Sequence, residues 1–172
     1  PSTGYTLPGW SGACSGSGSC SVTMNSNKTV TASFSQQQYT LTADASPSAG
    51  GTMTGGGVYN SGAAVTVTAT PAQGYTFGGW SGACSGTGYF SVTMNSNKTV
   101  TANFSQQQYT LTANRSPSYG GSVTGGGTYS SGGIALVTAT PSTGYTFSGW
   151  SGDCSGSGSC TVTMNSNKTV TA

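Results

Sequence analysis

From residue 39 onward, large apolar residues or alanine alternate with threonine in short runs: Tyr39-Thr-Leu-Thr-Ala43, Val65-Thr-Val-Thr-Ala69, Val92-Thr-Met94 and Val100-Thr-Ala-Asn-Phe104. A period of two residues puts one set on each face of an extended chain, so each run predicts a half-buried strand with threonine facing outward. Gly, Pro, Asn and Ser clusters bound the runs, and a weaker pair of strands is expected at Gly51–Thr54 and Val58–Asn60. Nothing carries the 3.6-residue period of an amphipathic helix. The expectation is an all-β fold of six or seven short strands per unit with almost no helix. Asn95-Ser-Asn97 reads as a hairpin turn, because Asn tolerates left-handed backbone and bonds nearby amides, so Val92–Met94 and Val100–Phe104 should pair antiparallel. The inward set is Tyr39, Leu41, Val65, Val67, Phe77, Trp80, Val92, Met94, Val100 and Phe104.

The same pattern recurs every 70 residues, as the positions of Trp10, Trp80 and Trp150 and of Lys28, Lys98 and Lys168 show. Such a period marks a tandem array. Residues 1–38 read as the C-terminal part of one repeat with its linker, 39–108 as a complete repeat with its linker, and 109–172 as a third repeat truncated at its C-terminal strand. No atypical capping unit stands at either end, so the polypeptide is expected to continue both ways. Ser35-Gln-Gln-Gln38, repeated at Ser105 to Gln108, reads as a four-residue connector too short for free tumbling.

A unit of this size buries little apolar surface, so additional ties are expected. Cys14 and Cys20 bracket a Ser/Gly loop, and Cys154 and Cys160 repeat the arrangement. Each pair can close a small disulfide, which places the chain in an oxidising, extracytoplasmic compartment. Zinc is the competing reading. With no His and at most two thiols per unit, it would require two units to converge. In the middle repeat Phe90 stands where its neighbours have the second Cys, which leaves Cys84 unpaired within the chain, either inert and buried or cross-linked to another chain.

Only four Lys or Arg and two Asp or Glu occur in 172 residues. The cations are spread one Lys per repeat plus Arg115, with no patch that could neutralise a phosphate backbone, so nucleic acid is excluded as a partner. No apolar run reaches the length of a membrane span. The two acids, Asp44 and Asp153, occupy non-equivalent positions in different repeats and form no acid–base pair. Without His the many serines have no general base. The Gly-Gly-Gly turns lack a following helix and a P-loop Lys. The chain therefore reads as no enzyme, with no cofactor and no metal.

Trp10, Trp80 and Trp150 are either core residues or aromatic contact platforms for a sugar. Asn27, Asn97 and Asn167, each followed by Lys-Thr, match the N-glycosylation pattern, although a turn role also accounts for them. Ile134-Ala-Leu-Val137 replaces Ala64-Val-Thr-Val67 and puts Leu136 at an outward Thr position, which indicates a local interface or a shifted register.

The series Tyr39-Thr-Leu-Thr-Ala, Ala69-Thr-Pro, Gly79-Trp-Ser-Gly and Lys98-Thr-Val-Thr-Ala-Asn-Phe104, present in whole or part in every repeat, resembles the divergent internalin-B-type B-repeat family. The resemblance implies a small β-rich module, sandwich or β-grasp-like, strung in tandem on secreted and surface-attached prokaryotic proteins, and it implies no catalytic residues. Outward Thr rows, low charge and open strand edges favour lateral association. The expected role is a structural, self-associating, disulfide-stabilised segment of an extracellular filament or cell-surface stalk. The alternatives are an adhesin array that binds surface glycans and a passive spacer carrying a functional tip.

Overall fold

Alternation of Thr with Val, Leu or Ala over so few residues can be satisfied only if each strand covers a core with one face, and the chain does this with pairs of small sheets. The structure, a computed structural model, describes residues 1–172. The first repeat contributes β1 (Tyr5–Gly12) and β2 (Val30–Gln36), paired antiparallel. The middle repeat contributes β3 (Gln38–Ser46), β4 (Gly51–Thr54), β5 (Gly57–Asn60), β6 (Ala64–Pro71), β7 (Tyr75–Gly82), β8 (Phe90–Thr93) and β9 (Lys98–Gln106). The third contributes β10 (Gln108–Asn114), β11 (Gly121–Thr124), β12 (Gly127–Ser130), β13 (Ile134–Pro141), β14 (Ser151–Gly152), β15 (Cys160–Thr163) and β16 (Lys168–Thr171). One 3-10 turn at Ser48–Gly50 is the sole helical element.

The middle repeat folds into a four-stranded sheet in the order β5-β3-β9-β7 and a three-stranded sheet in the order β4-β6-β8. The third repeats this as β12-β10-β16-β14 and β11-β13-β15. The sheets share one core: Leu111 and Val170 from the larger sheet pack in one cluster with Ala135, Val137, Cys160 and Val162 from the smaller, together with Trp150 and Met164. The middle and third repeats are thus miniature two-sheet sandwiches, while residues 1–38 supply one two-stranded sheet, and all ten residues of the inward set are buried or half-buried. The strands that alternate most cleanly show it in their burial, β6 and β13 hiding Val65 and Val67 or Ala135 and Val137 while Thr68 and Thr138 stay exposed.

Three features depart from or go beyond the sequence reading. The strands on either side of Asn95-Ser-Asn97 do not pair with each other. β8 pairs antiparallel with β6, and β9 joins the other sheet, parallel to β3, from Leu41 opposite Lys98 to Ser46 opposite Asn103. The turn is a corner between sheets, and the Met94 backbone before it exchanges hydrogen bonds with Gly62 and Ala63. A parallel pair requires a long crossover, and here the intervening β4–β8 supplies it, so the first and last strands of a module meet at its centre. Second, Tyr75–Gly82 is a strand, which Gly78-Gly79 hides from any periodicity reading. Third, the four-residue connector does not exist as a loop: β2 runs through Gln36 and β3 begins at Gln38, so Gln37 and its equivalent Gln107 are the only residues between strands.

By its contacts the chain divides into two compact units, Pro1–Thr70 with Phe77–Asn103, and Pro71–Thr76 with Phe104–Ala172. The turn Pro71–Thr76, part of the middle repeat in sequence, belongs by packing with the third.

Candidate interaction surfaces and the joint between repeats

The single residue between repeats is fixed on both sides. In the first unit the Gln37 amide donates to the Gly4 carbonyl at 2.7 Å, and its carbonyl accepts from the Ser61 amide at 2.7 Å. In the second unit Gln107 makes the same pair with Gly74 and Ser131, both at 2.8 Å. Gly4 and Gly74 have φ of +82° and +80°, a region that favours glycine, and a Cβ on Gly74 would meet the Ser131 hydroxyl at 2.8 Å. A turn of one repeat therefore sits against the Ser-Gly turn of the next, with glycine required by both backbone and space. Two backbone hydrogen bonds contribute about 1 kcal/mol each, modest against unfolding a module, and they tie the residue between strands to the turns on either side of it.

The cysteine loop folds over the tryptophan. In each repeat the Trp amide donates to the Gly six residues on, and the indole Nε1 donates to the carbonyl eight residues on: Trp10 to Gly18 at 2.8 Å, Trp80 to Gly88 and Trp150 to Gly158 at 3.0 Å. Gly79 and Gly149 allow this approach, since a Cβ on either would lie 3.0 Å from the facing carbonyl. Trp80 and Trp150 are buried and meet Phe77 and Phe147 edge-on, with ring centroids 5.0 Å apart. Trp10 is half-buried.

Cys14 and Cys20 form a disulfide, as do Cys154 and Cys160, with Cα separations of 6.0 and 5.8 Å. Cys160 faces the core at 1% exposure, opposite Val137 in the strand ladder. In the middle repeat Phe90 takes that place opposite Val67, and Cys84 is a buried free thiol. Burial pushes the Cys84 thiol up from its ordinary value, because desolvation disfavours the thiolate. No group of three His, Cys, Asp or Glu side chains converges on a metal position.

Asn27, Asn97 and Asn167 are all exposed. The Asn97 and Asn167 side-chain oxygens accept backbone protons from Thr40 and Thr110. Asp153, which stands where the other repeats have Ala13 and Ala83, accepts from the Thr169 amide at 2.7 Å and meets Lys168 Nζ at 3.2 Å. The Thr169 hydrogen bond, then Lys168, holds its carboxyl below the usual aspartate range.

The outer face of the β4-β6-β8 sheet is a field of hydroxyls, with Thr54 and Thr68 hydrogen-bonded across strands at 2.6 Å, as Thr124 and Thr138 are in the third repeat. Ile134 and Leu136 interrupt that field at 72% and 57% exposure while Ala135 and Val137 stay buried. The register of β13 is therefore unshifted, and the substitution places two aliphatic side chains in solvent. Sequence reading missed two features, the Gly74–Ser131 abutment and the role of Gln107. The repeated spacing of Gly and Ser in a periodic sequence carries no indication that residues 57 apart touch.

An array of two-sheet β modules, tied by short cysteine loops and joined through single hydrogen-bonded residues, defines a tandem-repeat protein. The chain belongs to the divergent InlB B-repeat family, whose model matches residues 1–38, 39–108 and 109–172 in succession. No curated protein and no solved structure matches it. The family is typically structural rather than catalytic, it points to a surface repeat segment, and together with the disulfides it is consistent with an extracellular location.

Proposed function

We propose that the chain is a structural segment of a secreted stalk or filament, a stiff spacer with no catalytic role, whose outer sheet faces contact further copies. The observation that carries this reading is the joint: a repeat ends in a strand, one residue intervenes, and that residue is bonded both to the turn behind and to the turn ahead. A passive, flexible string needs no such fixation. Disulfides in the cysteine loops and the near absence of charged protease sites fit an exposed life outside the cell.

The test is small-angle X-ray scattering of this chain beside a version with the array doubled, both under non-reducing conditions. A stiff spacer gives a maximum dimension that grows in proportion to repeat number. Growth close to the square root of repeat number, the behaviour of freely jointed beads, would refute the reading.

A further inference from the structure

The flanking loops at residues 14–20 and 154–160 are identical, Cys-Ser-Gly-Ser-Gly-Ser-Cys, whereas the middle loop reads Cys84-Ser-Gly-Thr-Gly-Tyr-Phe90. The scaffold is unchanged, because both Trp80 hydrogen bonds to Gly86 and Gly88 are kept. Three substitutions thus fall in one loop, and two of them, Thr87 and Tyr89, line an open groove of about 340 Å³ whose other walls include Thr68, Phe77 and Trp80. Tyr89 is 98% exposed, so its ring serves no core, and it replaces a serine in both sister loops. We propose that this groove binds a neutral sugar ring, with Tyr89 as the stacking platform.

The chemistry of the walls selects that ligand class. A pyranose offers an apolar C–H face and a rim of hydroxyls. The groove matches with an exposed aromatic ring beside Phe77 and Trp80, and with polar groups that are hydroxyls: Thr87, whose side chain has no partner, and Thr68, which shares a proton with Thr54. Charge complementarity is equally specific. No Lys, Arg, Asp or Glu lines the groove, so it offers nothing to a uronate, a sulfated sugar or a charged peptide. The proposal is independent of the stalk reading, since a stiff or flexible array could carry such a groove.

The experiment is a ¹⁵N-edited NMR titration of the full chain with three neutral probes, cellohexaose, chitohexaose and mannohexaose, at millimolar sugar. The three indole N–H signals serve as site and controls. The expected result is a saturable shift of the Trp80 indole with at least one probe, with Trp10 and Trp150 unmoved. Tyr89→Ser, which restores the sister-loop residue at an exposed position, should weaken binding about tenfold, the equivalent of one aromatic contact. Thr87→Ser should weaken it less. Failure of all three probes to move Trp80, equal shifts at all three indoles, or binding that survives Tyr89→Ser would each overturn the proposal. So would displacement of the sugar-free groove signals by a proline-rich peptide alone.

Discussion

Asn97 Oδ1 accepts the Thr40 amide proton at 2.8 Å across 57 residues of chain, and Asn167 does the same for Thr110 at 2.9 Å. The side chain stands one rung before the parallel ladder that begins with Leu41 opposite Lys98, so it extends the pairing of the first and last strands of a module. Asn97→Ala should cost about 1 kcal/mol, the worth of one such hydrogen bond, whereas Asn97→Asp keeps an acceptor and most of the stability. Urea unfolding with hydrogen exchange at the Thr40 amide measures both. An alanine variant that leaves Thr40 as protected as before would show that the bond does not form in solution.

Gly74 tests the joint. Its positive φ alone makes a side chain cost roughly 1–2 kcal/mol, and a Cβ there also presses on Ser131. Gly74→Ala should therefore accelerate exchange of the Gln107 and Ser131 amides while protection at Val100 in the core strand is retained. In the scattering experiment the same variant should shorten the maximum dimension. Uniform loss of protection would instead mean that Gly74 supports the module and not the joint.

The strands with strict Thr alternation were legible in sequence because each buries one face and exposes the other, as β6 and β13 do. The 70-residue period and the disulfide-forming cysteines followed from the same inspection. What escaped was pairing. Asn95-Ser-Asn97 has hairpin chemistry, yet Val100 finds its partner in Ala43 and not across the turn, because core closure between two sheets outweighs a local turn preference. β7 escaped because Gly78-Gly79, of which Gly79 lets the Trp80 loop close over the ring, erases the alternation that marks a strand. The groove at Tyr89 was invisible for another reason: a Ser-to-Tyr change in a glycine loop reads as surface variation until Thr68 and Phe77 are seen opposite it.

Phe90→Cys should install the disulfide the middle repeat lacks. Phe90 is opposite Val67 as Cys160 is opposite Val137, and the loop has the same length and the same Trp tethers. A ring this short contributes about 2 kcal/mol in the loop-entropy account. Thiol titration under oxidising conditions should find no free Cys, and thermal unfolding should rise and then lose the gain in reductant. Two titratable thiols in the oxidised variant would show that the loop of the middle repeat has moved away from its sisters' geometry.

The third repeat should be the acid-sensitive one. The Asp153 carboxyl is held below its ordinary value by the Thr169 amide and Lys168, so its folded-state pKa is lower than the unfolded one. A depressed carboxyl contributes stability that is complete above the unfolded value near pH 4 and disappears as pH falls through the folded value. The Thr169 amide shift should therefore titrate below pH 4, in step with a loss of thermal stability confined to that repeat. Asp153→Asn should abolish the titration, and Thr99, whose repeat carries Ala83, should show none.

Leu136 decides whether an exposed apolar pair serves assembly. It lies opposite Thr161 with Ile134 opposite Thr163, on the solvent face of β13, where the middle repeat has Thr66 and Ala64. Because neither side chain supports the core, Leu136→Thr with Ile134→Ala should change stability by no more than about 0.5 kcal/mol. Met164→Ala, which empties a fully buried site in the same repeat, should cost roughly 2–5 kcal/mol. If the outer face contacts other copies, the surface variant should sediment as a smaller species than the parent at equal concentration. A surface variant as costly as the Met164 cavity would mean that β13 turns its other face inward, while equal sedimentation would remove this patch from the assembly surface and leave the Thr field and strand edges to carry it.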